Sequence, residues 1–427
     1  MRLPSSRCRF RHSHFWIAAW LLVGCKSTPG ANVPGDAATG TGGAAAGSGG
    51  AGGVTTAAGG ASGAVGGGSG GAGLGGAGGT NGAGGKGAGG TGPGTGGTGS
   101  GGHAAPDAGA AVDTGPDPGT DGDGDFTIGP TYTVSPDLMV QNVPHGRSFT
   151  FTMSSTASAI YTGLDPTLLA ANQHSFTRQV RVYVPMQYVD GNAAPFMVVQ
   201  DGFLADISTA LDNLIANGRV PPIVAVFVAN GGGDSIGSER GLEYDTMSGT
   251  YARFIDTEVL PAVVGNAQLK AAYPNFKLTT DPNGRAAYGC SSGGAAAMTM
   301  GWFAPNDYRR LITYSGTFVD QQNPIAPEQA QYPVGAWGYA SGLIANSPLQ
   351  PLRVFLQVGE MDNGSTMPES SLHNWVLANQ HVAAALKAKG YHYRFIYALG
   401  ATHCDARPRQ QTLPETLQWM WRGYTPN

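Results

Sequence analysis

Two dipeptides bring together the residue types that do covalent chemistry: Cys290-Ser291 and, more than a hundred residues later, His403-Cys404. Ser291 is the centre of Gly289-Cys290-Ser291-Ser292-Gly293, a G-x-S-x-G sequence directly after the strand-like run Arg285-Ala286-Ala287-Tyr288. In that context a serine occupies a tight strand-to-helix turn that lifts its hydroxyl above the edge of a sheet. Ser292 has the wrong offset from Gly289 to be the nucleophile. Its backbone N–H instead follows the nucleophile, where it can donate to an oxyanion. The second donor is expected from the loop after an earlier strand. Gln200-Asp201-Gly202-Phe203 ends such a strand and offers the N–H of Gly202 or Phe203, the alternative being an ordinary turn.

A serine hydroxyl needs a base to take its proton. Of nine histidines, His12, His14 and His103 lie in the first hundred or so residues, which are unsuited to a core. His145 and His174 precede the sheet, His373 and His381 are expected inside a long helix, and His392 begins the last strand. Only His403 falls in a loop after the final strand, within Gly400-Ala401-Thr402-His403-Cys404. The acid that orients it should lie between serine and histidine in the chain. Gly359-Glu360-Met361-Asp362-Asn363 follows a strand-like run, and Asp362 is the expected carboxylate with Glu360 the alternative. Such an acid fixes the imidazole tautomer and stabilises the imidazolium. Arg240, Glu243 and Tyr244, in a loop after the third core strand, are candidates for substrate contact; a structural Arg-Glu pair is the competing reading. No H-E-x-x-H or C-x-x-C spacing is present, so neither a metal nor a cofactor is expected.

These groups require a sheet to position them. Val180–Val184, Phe196–Gln200, Ile223–Val228, Leu311–Tyr314, Val354–Val358 and Tyr393–Ala398 read as strands, several of them near-continuous apolar runs typical of a sheet covered on both faces. Between them, Ile207–Ala216, Tyr251–Val264, Ser292–Phe303 and Leu372–Lys389 read as helices. Strands alternating with long helices predict an α/β fold with a mostly parallel, doubly wound sheet. Residues 126–178 read as loops and short strands, a β lead-in to that sheet.

Composition divides the chain into three parts: 1–24, 25–124 and 125–427. The first has basic residues followed by a short apolar run from Phe15 to Val23, the shape of an export signal rather than a membrane span. Leu22-Val23-Gly24-Cys25 resembles the lipobox of bacterial lipoproteins, which implies cleavage before Cys25 and lipidation of its thiol. The chain is then expected at the cell envelope, on the outer membrane or surface, with contact to membrane through that anchor alone. From Gly30 to Gly124, 41 of 95 residues are glycine. So little apolar surface cannot offset conformational entropy, and a disordered tether is expected. A net charge of −4 and a pI near 6.1 give no electrostatic case for nucleic acid. Once Cys8 leaves with the signal and Cys25 carries lipid, Cys290 and Cys404 remain, an even pair that favours a disulfide in an exported chain. Two reduced, buried cysteines are the alternative.

From about Arg178 onward the sequence resembles the enterochelin esterase-like, feruloyl esterase-related branch of the α/β-hydrolases. The matching stretches are Val198-Val199-Gln200-Asp201-Gly202, Glu243-Tyr244-Asp245, Arg285–Gly294, Tyr314-Ser315-Gly316 and Gly359–Asp362. The resemblance implies carboxylic ester hydrolysis by Ser291, Asp362 and His403, on a small-molecule or polysaccharide ester. The order Cys-Ser, Asp, His-Cys is also similar to a pattern in fungal tannases and feruloyl esterases, where a disulfide joins the two cysteines. Two other functions remain open at this point: acyl transfer of the mycolyltransferase-like type, and a non-catalytic binding lipoprotein on the same scaffold.

Overall fold

The computed structural model describes residues 118–234, 236–321 and 330–426. The export signal, Cys25 and nearly all of the tether therefore lie outside the described residues, as does part of the 321–335 loop. Nine strands form one sheet: β1 (Gly124–Ile128), β2 (Arg147–Ser154), β3 (Thr177–Val184), β4 (Phe196–Gln200), β5 (Val224–Val228), β6 (Arg285–Cys290), β7 (Arg310–Tyr314), β8 (Arg353–Met361) and β9 (His392–Thr402). Their spatial order is β1-β9-β8-β7-β6-β4-β5-β3-β2. Every pairing from β1 to β5 is parallel, and the β5-β3 and β3-β2 pairings are antiparallel. The expected β lead-in is split between the two edges, with β1 at one and β2 at the other.

Alternation within single strands assigns the two faces. Met197 and Val199 of β4 pack with Ala225, Phe227, Tyr288, Ile312 and Phe355 on one face. There they meet Ile207, Leu211 and Leu214 of α1 (Ala205–Ala216) and, from a C-terminal helix (Ala406–Trp421), Leu413, Leu417 and Met420. Phe196 and Val198 point the other way, into a larger core with Val226, Leu311 and Leu356. The helices after β6 and before β9 cover that face. Each fully buried aliphatic side chain contributes about 1.5–3 kcal/mol, so two-sided burial is the main stabilising term.

Several strands run past their expected limits, β8 to Met361 and β9 to Thr402 among them, and two other boundaries also differ. Residues 118–123, assigned to the tether by composition, are ordered against the domain: Asp123 accepts the Trp419 indole N–H at 3.0 Å. The long helix begins at Trp375, not Leu372, because the Asn374 side chain accepts the Leu377 N–H and caps it. His373 thus lies outside the helix. The other helices that matter for the site are α2 (Glu239–Tyr244), α3 (Ser292–Phe303) and α4 (Trp375–Lys389). Among the described residues no helix is long and apolar enough to cross a membrane.

Candidate active site

β6 ends at Cys290 and α3 starts at Ser292, leaving Ser291 alone in the connecting turn with φ 59° and ψ −132°. A side chain rarely adopts that backbone geometry, and outliers of this kind gather at functional sites. Four of the five described non-glycine residues at positive φ surround this one point: Asp201 after β4, Ser291 after β6, Ser315 after β7 and Cys404 after β9. The turn is tight enough to exclude side chains nearby. A Cβ on Gly289 would strike the Gly293 backbone, and one on Gly293 would come within 2.8 Å of the Asp201 carboxylate.

The turn brings the three expected groups into line. Ser291 Oγ lies 2.9 Å from His403 Nε2, and His403 Nδ1 lies 2.6 Å from Asp362 Oδ1. A deprotonated carboxylate only accepts, so the Nδ1–H donates to Asp362 and Nε2 is left to accept the serine proton. The Asp362 side chain has no exposure and that of His403 has 23%. Glu360, the alternative acid, is turned outward and accepts the Gly400 N–H instead. Cys290 and Cys404 are joined by a disulfide with a Cα–Cα distance of 6.0 Å, which bonds the nucleophile's turn to the base's loop.

Expected oxyanion donors separate on inspection. The Ser292 N–H is at the first position of α3, where backbone N–H groups have no intrahelical acceptor. Gly202 is a correction: its N–H donates to the Val228 carbonyl at 3.1 Å and is already committed. That leaves the N–H of Phe203, the next residue, as the expectation still open. A cavity of about 200 Å³ lies beside the disulfide, walled by Gly202, Phe203, both cysteines, Tyr288 and Arg409; Ser291 and His403 do not line it.

Arg240, Glu243 and Tyr244 require correction: they lie on helix α2 and not in a loop, Glu243 and Tyr244 are buried, and the half-buried Arg240 is engaged by Asp201 and Asp234. Glu243 is buried and paired with Arg178 of β3 through two bonds of 2.7 and 3.1 Å. Burial pushes its carboxyl up, and the Arg178 charge opposes that. The Tyr244 hydroxyl accepts the Asp201 N–H at 3.1 Å. Arg240 holds the Asp201 carboxylate in a fork, Nε to Oδ1 at 2.8 Å and Nη2 to Oδ2 at 3.0 Å, while Asn230 adds a bond of 2.7 Å to Oδ1. Arg240, Asn230 and Tyr244 thus hold the Asp201-Gly202 turn in place.

Four further residues at the site take no role from the sequence, although Ser315 and Asp245 lie in stretches that carry the family resemblance. Ser315 donates to Asp362 Oδ2 at 2.6 Å and accepts the Cys404 N–H at 3.0 Å. Asp245 accepts the Ser292 hydroxyl at 3.2 Å and the Gln321 amide at 3.1 Å. Burial pushes its carboxyl up to about 7. Thr317 and Trp375 line the remaining side of Ser291 and His403. Among the described residues no cluster of His, Cys, Asp or Glu is arranged to hold a metal ion.

A mostly parallel sheet with a serine on a strained strand-to-helix turn, and a histidine and acid on later strand ends, defines an α/β-hydrolase. Similarity to known families agrees. Residues 173–420, more than half of the chain, match the model of the Esterase family, described as "Putative esterase", and the chain belongs to that family. It is a carboxylic ester hydrolase. Solved structures similar to it include a ferulic acid esterase, at 18% identity over 66% of this chain and 100% of the other, with a TM-score of 0.47. Another is the enterobactin esterase FES from Shigella flexneri, at 17% identity over 68% of this chain and 64% of the other, with a TM-score of 0.44. A third is the ferulic acid esterase AmCE1/Fae1A from Anaeromyces mucronatus, at 12% identity over 69% and 99%, with a TM-score of 0.45. No curated protein sequence matches the chain.

Proposed function

We propose that the chain is an exported serine esterase that cleaves carboxylic esters through an acyl-enzyme on Ser291. The observation that carries this reading is the continuous hydrogen-bond path from Ser291 Oγ through His403 to Asp362, at 2.9 and 2.6 Å. His403 Nε2 takes the serine proton as Oγ bonds to the ester carbonyl carbon. The N–H groups of Ser292 and Phe203 receive the oxyanion. His403 then gives the proton to the departing alkoxide. Water enters, loses a proton to the same nitrogen and releases the acid, returning Oγ–H to Ser291. Asp362 stays ionised throughout and stabilises the imidazolium.

Acylated polysaccharides and siderophore-type esters are the substrate classes the sequence resemblance favours. The Leu22-Val23-Gly24-Cys25 sequence supports a lipid anchor at Cys25, with the glycine-rich segment as tether. Hydrolysis of 4-nitrophenyl acetate by the full chain, compared with Ser291→Ala, tests the catalytic reading. Turnover that survives in the variant refutes it. Incorporation of a labelled fatty acid, lost in Cys25→Ala, tests the anchor.

A further inference from the structure

Ser291 has a second hydroxyl neighbour besides His403. Thr317 Oγ1 lies 3.4 Å from Ser291 Oγ, long for an O–H···O bond but of the kind that tightens once substrate is bound. The contact is not accidental placement, because Thr317 is buried (1% exposed) and its own N–H donates to the Ser291 carbonyl at 3.0 Å. Behind it stands Trp375, whose indole Nε1–H donates to Thr317 Oγ1 at 3.2 Å. The Trp375 ring also meets His403 edge-on, with centroids 6.1 Å apart at 86°. Asn379 fixes this corner by donating to both the Gly316 and Trp375 carbonyls, at 2.9 and 2.8 Å.

An indole N–H only donates, so Thr317 Oγ1 must accept from Trp375. A hydroxyl can accept twice, so the direction toward Ser291 is set by Ser291 itself: its one hydrogen goes to His403 Nε2, and the Thr317 hydroxyl is the donor of the pair. The direction of every bond follows: Trp375 to Thr317, Thr317 to Ser291, Ser291 to His403, His403 to Asp362. We propose that Thr317 is a catalytic residue that donates to Ser291 Oγ and stabilises this oxygen as it leaves the acyl group during deacylation. The proposal rests on the acyl-enzyme reading above.

The benefit is unequal across the cycle. In the acyl-enzyme, Oγ is an ester oxygen and a poor acceptor. As the tetrahedral intermediate collapses, the bond between Oγ and the acyl carbon breaks and its electron pair returns to Oγ. His403 Nε2–H delivers the proton, and Thr317 donates to the other lone pair without transferring its own hydrogen. A bond that strengthens only in that transition state accelerates the step. In acylation the same donor draws on the attacking lone pair, so no comparable gain arises.

The test is pre-steady-state hydrolysis of 4-nitrophenyl acetate by the full chain, with Thr317→Val, Thr317→Ser and Trp375→Phe. For Thr317→Val, kcat should fall about tenfold, a modest share of what a well-placed oxyanion donor supplies. kcat/KM should change less than about threefold, so that KM falls with kcat and the nitrophenolate burst grows. Thr317→Ser should restore deacylation, and Trp375→Phe should fall between, since Thr317 is then free to turn its hydrogen away. Equal losses in kcat and kcat/KM, no change in either, or a serine variant no better than valine would overturn the role. If Thr317→Val does not fold, the Trp375→Phe and Thr317→Ser burst kinetics decide it alone. Mass spectrometry of the quenched wild-type reaction separates the two levels. No acyl group on Ser291 removes the acyl-enzyme reading and this role with it, whereas acylation with an unaltered burst in the variants removes only the role of Thr317.

Discussion

The Ser315 hydroxyl donates to Asp362 Oδ2 at 2.6 Å while its oxygen accepts the Cys404 N–H at 3.0 Å. One side chain at positive φ thus holds the catalytic acid and the loop of the base at the same time. Asp362 Oδ1 is left for His403, and the Asn363 N–H also donates to it at 2.7 Å. Replacing Ser315 with alanine leaves a buried carboxylate oxygen short of its strongest donor, at a cost of about 1–3 kcal/mol. We expect Ser315→Ala to lower kcat roughly tenfold or more, because the His403 orientation loosens. Ester turnover measured beside a thermal melt checks this; unchanged kcat with a lowered melting temperature would show a purely structural bond.

The disulfide joins residues 114 apart in sequence, one beside the nucleophile and one beside the base. Opening it should destabilise the fold by roughly 2–4 kcal/mol, within the range for native bridges. Activity should fall at temperatures where the fold persists, because Cys404 is held at φ 50° directly after His403. Melting curves and turnover with and without reductant, and in a Cys290→Ala, Cys404→Ala double variant, measure both effects. Loss of stability with full activity would show that hydrogen bonds from Ser315 suffice to place His403.

Arg240 acts on the oxyanion turn through Asp201, whose carboxylate it grips in a fork and which stands two residues before Phe203, the source of the proposed N–H. Arg240→Lys keeps the charge but loses the two-pronged geometry. We expect kcat to fall on the order of tenfold with KM nearly constant, the signature of a contact made in the transition state. A substrate-contacting arginine would instead raise KM with kcat held. Steady-state kinetics on two esters of different size distinguish these outcomes.

What the sequence made legible follows from how local each signal is. Phe196–Gln200 and Ser292–Phe303 have the bounds expected of them, because an unbroken apolar run and a motif-bounded helix are self-contained. Ser291 is marked by its G-x-S-x-G setting, His403 by its loop after the last strand, and Asp362 by lying between them after a strand, with Glu360 left open beside it. Arg240, Glu243 and Tyr244 looked like ligand contacts because polar residues in a loop after a strand usually face solvent. Their partners are Asp201 and Arg178, 39 and 65 residues away, and no spacing rule reaches them. Thr317 escaped for the same reason, and Ser315 and Asp245, though within stretches that carry the family resemblance, showed no role because their partners Asp362 and Ser292 are each 47 residues away. The start of the long helix was misplaced by a single capping side chain, Asn374, within an otherwise helical pattern.

Asp245 supplies the last prediction, on stability against pH. Its carboxyl is buried beside Ser292 and Gln321, and burial raises it from 3.8 to about 7. The two hydrogen bonds and Arg240 pull it down, and Asp234 pushes it up. Between these two pH values the folded state holds a proton that the unfolded chain has released. Stability therefore falls as pH rises through that window. The contribution is complete below about 3.8 and gone above about 7, opposite in sign to a carboxylate held ionised by a salt bridge. Glu239, pushed by burial to about 8, adds a decline of the same sign. Asp245→Asn cannot ionise yet can still accept from Ser292. Its melting temperature should fall less than that of the wild type between pH 5 and pH 8, leaving the part due to Glu239. Parallel curves for the two proteins would mean that Asp245 is ionised in the folded state across this range.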